Sequence, residues 1–246
     1  MKLKVFVVVV LAIALVSSLA QAEPYVGFYL SGVPDWKQDV TSERIFTATG
    51  AGDRFRLRNV ETGSSVVFGG LLGYQFDSLS WLAAEFDAYH LRPGFESQSV
   101  TARSSTAGNT LITIRDGKAN MTLLALSAVA THRYLPSTEV PKGRLQAYVG
   151  VGPALNLSSV AVTFSSPNAT VRIKDQDVSV GPQVKIGGRW FFTPSLAAFA
   201  EYRFAHHSLK VSDNGVSNAG NPIRIESNMD PSISLGIVGI SWHFGS

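Results

Sequence analysis

Two groups of residues are spaced to do chemistry. The first is the run Ala205-His206-His207-Ser208. A histidine followed two residues later by a serine presents both side chains on one face of a strand. An imidazole so placed can take the proton of a serine hydroxyl, and a carboxylate is needed to orient it; Glu226 is the candidate acid for His206 and Ser208. The second group is a set of charges alternating with apolar residues: Glu85 and Asp87, Lys185 and Arg189, Glu201 and Arg203. Enclosed together, these must pair, because an uncompensated buried charge is very costly. Such a network is either a structural plug that fixes strand register or the gate of a narrow ion path.

Metal and cofactor chemistry have little to work with. There are no cysteines, and of five histidines only His206 and His207 are local. Neighbours on a strand point to opposite faces, so those two cannot chelate together. Gly150-Val151-Gly152 lies in a strand-like run with no helix after it, so no cofactor is expected from it; it thins the inner face instead. Asn156-Leu157-Ser158 and Asn168-Ala169-Thr170 match glycosylation sequons, and both read as polar strand-end or loop residues.

The elements that position these residues begin with a leader. Lys2 and Lys4, an apolar run from Val5 to Val16, and Ala20-Gln21-Ala22 before Glu23 have the order of a cleavable signal peptide, residues 1–22. The apolar run is too short for a spanning helix. The chain holds 21 Lys and Arg against 18 Asp and Glu. Without Lys2 and Lys4 the excess falls to a single charge, which argues against a nucleic-acid partner.

Residues 23–246 read as one domain of two-faced strands. On the last, Gly236, Val238, Ile240, Trp242 and Phe244 share one face, with Gly239, Ser241 and His243 on the other. Leu196, Ala198, Ala200, Tyr202 and Phe204 oppose Glu201 and Arg203; Val178, Val180, Val184, Ile186 and Trp190 oppose Gln183, Lys185 and Arg189; Leu82, Ala84, Phe86 and Ala88 oppose Glu85 and Asp87. Further strands are expected over Tyr25–Gly32, Ser65–Phe76, Asn120–Tyr134 and Arg144–Leu157, the third of them apolar on both faces. Short turns at Asp77–Leu79, Leu135–Gly143 and Thr193-Pro194 alternate with long polar loops at Pro34–Ser64, Arg92–Ala119, Ser158–Gln176 and His207–Pro231. Eight strands, three short turns and four long loops predict an all-β fold: a closed eight-stranded antiparallel transmembrane β-barrel with short periplasmic turns and extracellular loops. Tyr25, Tyr74, Phe76, Trp81, Tyr134, Trp190, Phe191, Phe192, Trp242 and Phe244 near the short-turn ends are expected to form an interfacial girdle.

Tyr25-Val26-Gly27, Tyr148-Val149-Gly150-Val151-Gly152, Ala200-Glu201-Tyr202-Arg203-Phe204 and Trp242-His243-Phe244, in that order, resemble the small outer-membrane β-barrel family that includes the opacity proteins and the barrel of outer-membrane protein A. The resemblance implies a non-enzymatic porin- or opacity-type protein of the Gram-negative outer membrane, serving envelope integrity, surface recognition or narrow permeation. It also implies that Gly239, Trp242 and Phe244 form a terminal signal read by the barrel-assembly machinery, with Gly245 and Ser246 extending past it. The alternative is a lipid A-modifying hydrolase. His206, His207 and Ser208 resemble the start of the His-x-Ser-Asn motif of the lipid A deacylases, although Leu209 stands where the Asn would be. The expected partners are outer-membrane lipid, lipopolysaccharide and a surface or host ligand held by the loops, the protein itself being a monomer. Arg44, Asp53, Arg54, Arg56, Arg58 and Glu61 in the first loop are the charges available to such a ligand.

Overall fold

The computed structural model describes residues 22–33, 36–46, 52–95, 97–104, 108–166, 169–216 and 222–244. The expected leader, apart from Ala22, and Gly245-Ser246 lie outside the described residues, as does Asn168. Eight strands carry the fold: β1 Ala22–Val33, β2 Ser65–Phe76, β3 Leu82–Leu91, β4 Gly108–Tyr134, β5 Leu145–Ser166, β6 Ala169–Phe191, β7 Leu196–His206 and β8 Ser232–His243. Each pairs antiparallel with its neighbours in sequence, except that β8 follows β7 and also pairs with β1. The ladder therefore closes on itself, and the fold is an eight-stranded antiparallel barrel. Closure leaves no edge along this wall, so every strand finds main-chain partners on both sides.

The side-chain alternation sorts by this closure. Phe28, Leu30, Phe68, Leu72, Leu126, Ile186, Tyr202, Val238 and Ile240 point out and stay exposed. The opposite positions point in, and they include all six expected charges. The half of β4 that looked apolar on both faces resolves in the same way: Leu123, Ala125 and Val129 fill the lumen while Leu126 faces out.

The girdle is corrected at two positions. Trp81, Tyr134, Trp190, Phe192, Trp242 and Phe244 are exposed near the short-turn ends as expected, but Tyr25 and Phe191 are buried. Both fall on the inward phase of their strands. Tyr25 stacks on His243 with ring centroids 4.6 Å apart, and Phe191 meets the same histidine edge-on at 4.8 Å. The turn after β4 is also more than a connection. Its Val140 is buried with Phe191 and Ala197, and its Lys142 pairs with Glu23 at 2.6 Å, so the turn folds under the barrel.

The four long loops are corrected more deeply, because most of their described residues are strand. β5 and β6 run on through the expected third loop as one ladder, from Leu157↔Val178 to Ser166↔Ala169. Trp36–Phe46 pairs with Gly52–Thr62, Gln98–Ser104 with the first part of β4, and Leu209–Val216 with Pro222–Met229. Neighbouring hairpins then pair with each other: Pro222–Met229 with Trp36–Phe46, Gly52–Thr62 with Gln98–Ser104, and β4 with β5. Gln98 strengthens one such junction, its side chain donating to the Glu61 carbonyl and accepting from the Glu61 N–H. The last junction, between Leu209–Val216 and β6, is made by carboxylates: Asp177 accepts from the Lys210 N–H at 3.0 Å and Asp175 from the Ser212 N–H at 2.7 Å. The eight-stranded wall thus continues well beyond the short barrel.

Side-chain polarity inverts part-way up the wall. In the lower part apolar residues face out and charges face in. In the upper part Leu57, Val60, Val100, Ala102, Ile112, Ile114, Val160, Val162 and Leu209 are buried, whereas Arg103, Lys118, Arg172, Lys174 and Lys210 are exposed. That is the ordinary arrangement of a sheet facing water. Loop-like composition therefore misled at these segments, since Ser, Thr, Lys and Arg on the wet face of a strand resemble a loop when counted along the chain.

The lumen charge network and outer wall as a candidate site

The lumen network is built by pairs of charges on three strands, two of them neighbours with Lys185 opposite Arg203. Glu85 and Asp87 on β3, Lys185 and Arg189 on β6, and Glu201 and Arg203 on β7 all lie on the inward phase of their strands and are buried. Lys185 Nζ is bonded to Glu85 and lies 2.9 Å from Asp87 Oδ2. Arg189 reaches Glu85 at 3.3 Å. Arg203 joins Asp87 at 2.9 Å and Glu201 at 2.6 Å. Three bases and three acids thus balance in one unbroken chain of contacts from Arg189 to Glu201.

Tyrosines complete the network. Tyr25 donates to Glu85, and Tyr148 donates to Glu201 at 3.1 Å. Arg203 Nη1 donates to the Tyr29 hydroxyl at 2.9 Å, and Tyr89 donates to Gln183 at 3.0 Å. Arg189 also sits 4.7 Å above the Tyr25 ring, and Arg203 5.0 Å from the rings of Tyr29 and Tyr89. These rings and the charges together fill the cross-section, as an eight-stranded lumen allows.

Glycines make room for the rings. Gly73 is opposite Tyr25 and Gly69 opposite Tyr29, Gly187 is opposite Tyr148, and Gly239 is opposite Phe199. A Cβ on any of the four would lie 2.7 Å or less from the facing ring. Gly150 serves Lys185 similarly, its absent Cβ falling 2.9 Å from the lysine Cγ. Strand alternation alone assigns the network charges to the lumen but does not reveal the packing of these rings. The available signal was a glycine directly across the ladder from each aromatic, and that pattern is visible only once register is known.

The His206 and Ser208 pair has a different setting. Both residues are exposed on the outer side, and His206 Nδ1 lies 3.0 Å from Ser232 Oγ. Glu226 pairs with Arg224 at 3.0 Å. His207 points inward and is buried. Asn156 is fully buried in the lumen, out of reach of a glycosyl group. Of the first-loop charges, Arg56 and Glu61 are exposed, while the side chains of Arg44, Asp53, Arg54 and Arg58 lie outside the described residues. Gly239 packs under Phe199, and Trp242 and Phe244 face out. Among the described residues no group of three His, Asp or Glu side chains is arranged to hold a metal ion.

At the short-turn end a cavity of about 110 Å³ lies between Glu23, Gln75, Lys142, Gln146 and His243. It lies below the charge network and is floored by the folded-under turn.

No family model matches this chain, and no curated protein matches it. It is similar to several solved structures. The outer membrane protein OprG from Pseudomonas aeruginosa aligns over 93% of this chain and 98% of its own, with 14% identity and a TM-score of 0.47. Ail, the attachment invasion locus protein of Yersinia pestis, aligns over 92% of this chain and all of its own, with 12% identity and a TM-score of 0.36. The outer membrane protease OmpT from Escherichia coli aligns over 89% and 97%, with 10% identity and a TM-score of 0.41. The closed ladder of this chain itself establishes the barrel.

Proposed function

We propose that the chain is a non-enzymatic outer-membrane β-barrel protein of the porin and opacity type, exported by a cleavable signal peptide and anchored by the lower barrel. Its role is in envelope integrity and surface recognition, with the upper wall as the part presented outside the cell. The observation that carries this reading is a balanced, tyrosine-capped charge network across the lumen of a barrel whose outer face is apolar. Such a belt needs hydrocarbon around it, and such a lumen transmits strain and register rather than solute. Permeation, in this reading, is confined to rare openings of the network. The terminal Gly239, Trp242 and Phe244 serve assembly, and surface ligands meet the upper wall.

The test is conductance of the refolded chain in planar bilayers. Long closed intervals without a steady open level are expected. A stable open channel in every insertion would overturn the sealed-lumen reading and favour a porin.

A further inference from the structure

The outer face of the barrel carries a hollow that the lumen network does not use. It has a volume of about 710 Å³ and crosses β8, β1, β2, β3 and β4, within the ~300–1,000 Å³ range of small-molecule sites. Its floor is thin because outward-phase Gly70 contributes no side chain there and Ala88 only a methyl, with the main chain at Gly69 and Gly239 beside them. Its walls are Phe28, Leu30, Phe68, Val238 and Ile240, all exposed. The hollow lies in the upper half of the lower barrel and is bounded on the side away from the short turns by His90 and Thr122.

Polar chemistry begins at that rim. His90 faces Thr122 across the ladder, with Nδ1 2.9 Å from the threonine hydroxyl. Arg92 Nε donates to His90 Nε2 at 3.0 Å. The imidazole therefore accepts on Nε2 and donates from Nδ1, which fixes the arginine stem over the rim. Lys118 lies directly across from Gly94, two residues beyond Arg92 on the same outward phase. Both Arg92 and Lys118 are exposed. An apolar trough thus runs up to two cations at the level where the wall's outward face turns polar.

We propose that this surface binds one phosphorylated glycolipid of the outer leaflet, an acyl chain lying in the trough and a headgroup phosphate on Arg92 and Lys118. The inference rests on the membrane reading given above. The trough selects hydrocarbon by shape, and the cations select an anionic headgroup at the correct height. Guanidinium and ammonium groups both form charge-assisted bonds to phosphate oxygens. The long-chain end of the barrel is the outward one, so the glycolipid of that leaflet is the occupant rather than an inner-leaflet phospholipid.

The experiment is native mass spectrometry of the full chain released from nanodiscs doped with bis-phosphorylated lipid A, with folding checked by the shift in gel mobility between unheated and heated samples. Retention of one lipid A by the unaltered protein is expected. The doubly neutralised variant R92Q/K118Q should retain at least about tenfold less, and the charge-preserving R92K/K118R should restore most of it. Gly70→Val fills the floor: a Cβ there meets only Gly27 O at 3.4 Å and the Phe28 ring beyond it, so the variant folds but retains less. Dephosphorylated lipid A should behave toward the unaltered protein as the intact lipid does toward R92Q/K118Q. Equal retention by the unaltered and neutralised proteins, or equal retention of the two lipids, overturns the proposal while leaving the barrel intact. Failure of the unaltered chain to enter the nanodisc in folded form overturns the membrane reading itself.

Discussion

Lys185 is the residue on which the lumen network turns. It bridges Glu85 and Asp87, so Lys185→Ala leaves an acidic excess in a closed interior. The cost expected is about 3–5 kcal/mol, read as a lower urea midpoint of the folded barrel. Adding Asp87→Asn restores charge balance and should recover part of that loss; a double variant no more stable than the single one would count against pairing as the cause. Gly73 and Gly70 provide a second contrast. The Cβ of an alanine at 73 would fall 2.0 Å from the Tyr25 ring, whereas at 70 the nearest atom is 3.4 Å away. Gly73→Ala should therefore destabilise by about 1–3 kcal/mol through overpacking and Gly70→Ala by much less. The inward direction of Glu85, Asp87, Lys185 and Arg203 was legible in the sequence because a period of two needs no knowledge of partners. Which carboxylate meets which base was not, since that depends on register between strands up to 116 residues apart.

At the scale of elements, the strands of the lower barrel are legible in the sequence and their continuations above it are not. β2 begins and ends where its apolar run does, at Ser65 and Phe76. The apolar pattern starts β4 at Asn120, yet the strand begins at Gly108, because above the lower barrel its outward side chains become polar and the apolar ones turn inward. The same inversion hid the upper halves of β5 and β6. A measurable consequence follows for proteolysis of intact cells. Ser158–Ser166 and Ala169–Gln176 are paired residue for residue, and main-chain groups held in a ladder are poor protease substrates. These two stretches should resist cleavage that an unstructured loop of the same composition would suffer within minutes. Cuts mapped throughout them would contradict the extended ladder.

At the scale of the whole molecule, the wall has two inside-out halves, which the proposed membrane reading assigns to two solvents. Substitution should report which half a position occupies. Ile186 faces out in the lower barrel with more than half its surface exposed, so Ile186→Lys places a charge against hydrocarbon and should cost about 2–4 kcal/mol in lipid vesicles. Thr101 faces out in the upper wall, where Thr101→Lys should change stability by no more than about 0.5 kcal/mol. Equal effects at the two positions would mean that the wall does not cross between two media where its polarity changes.

On the proposed membrane reading, that crossover also governs how the protein rides in its bilayer. Sinking by one residue step would drag Lys118 and Arg92 into oil, and rising by one would lift Val238 and Phe68 into water; both displacements are uphill. The barrel is therefore moored at one height, and a bilayer too thin or too thick for it must deform around the protein.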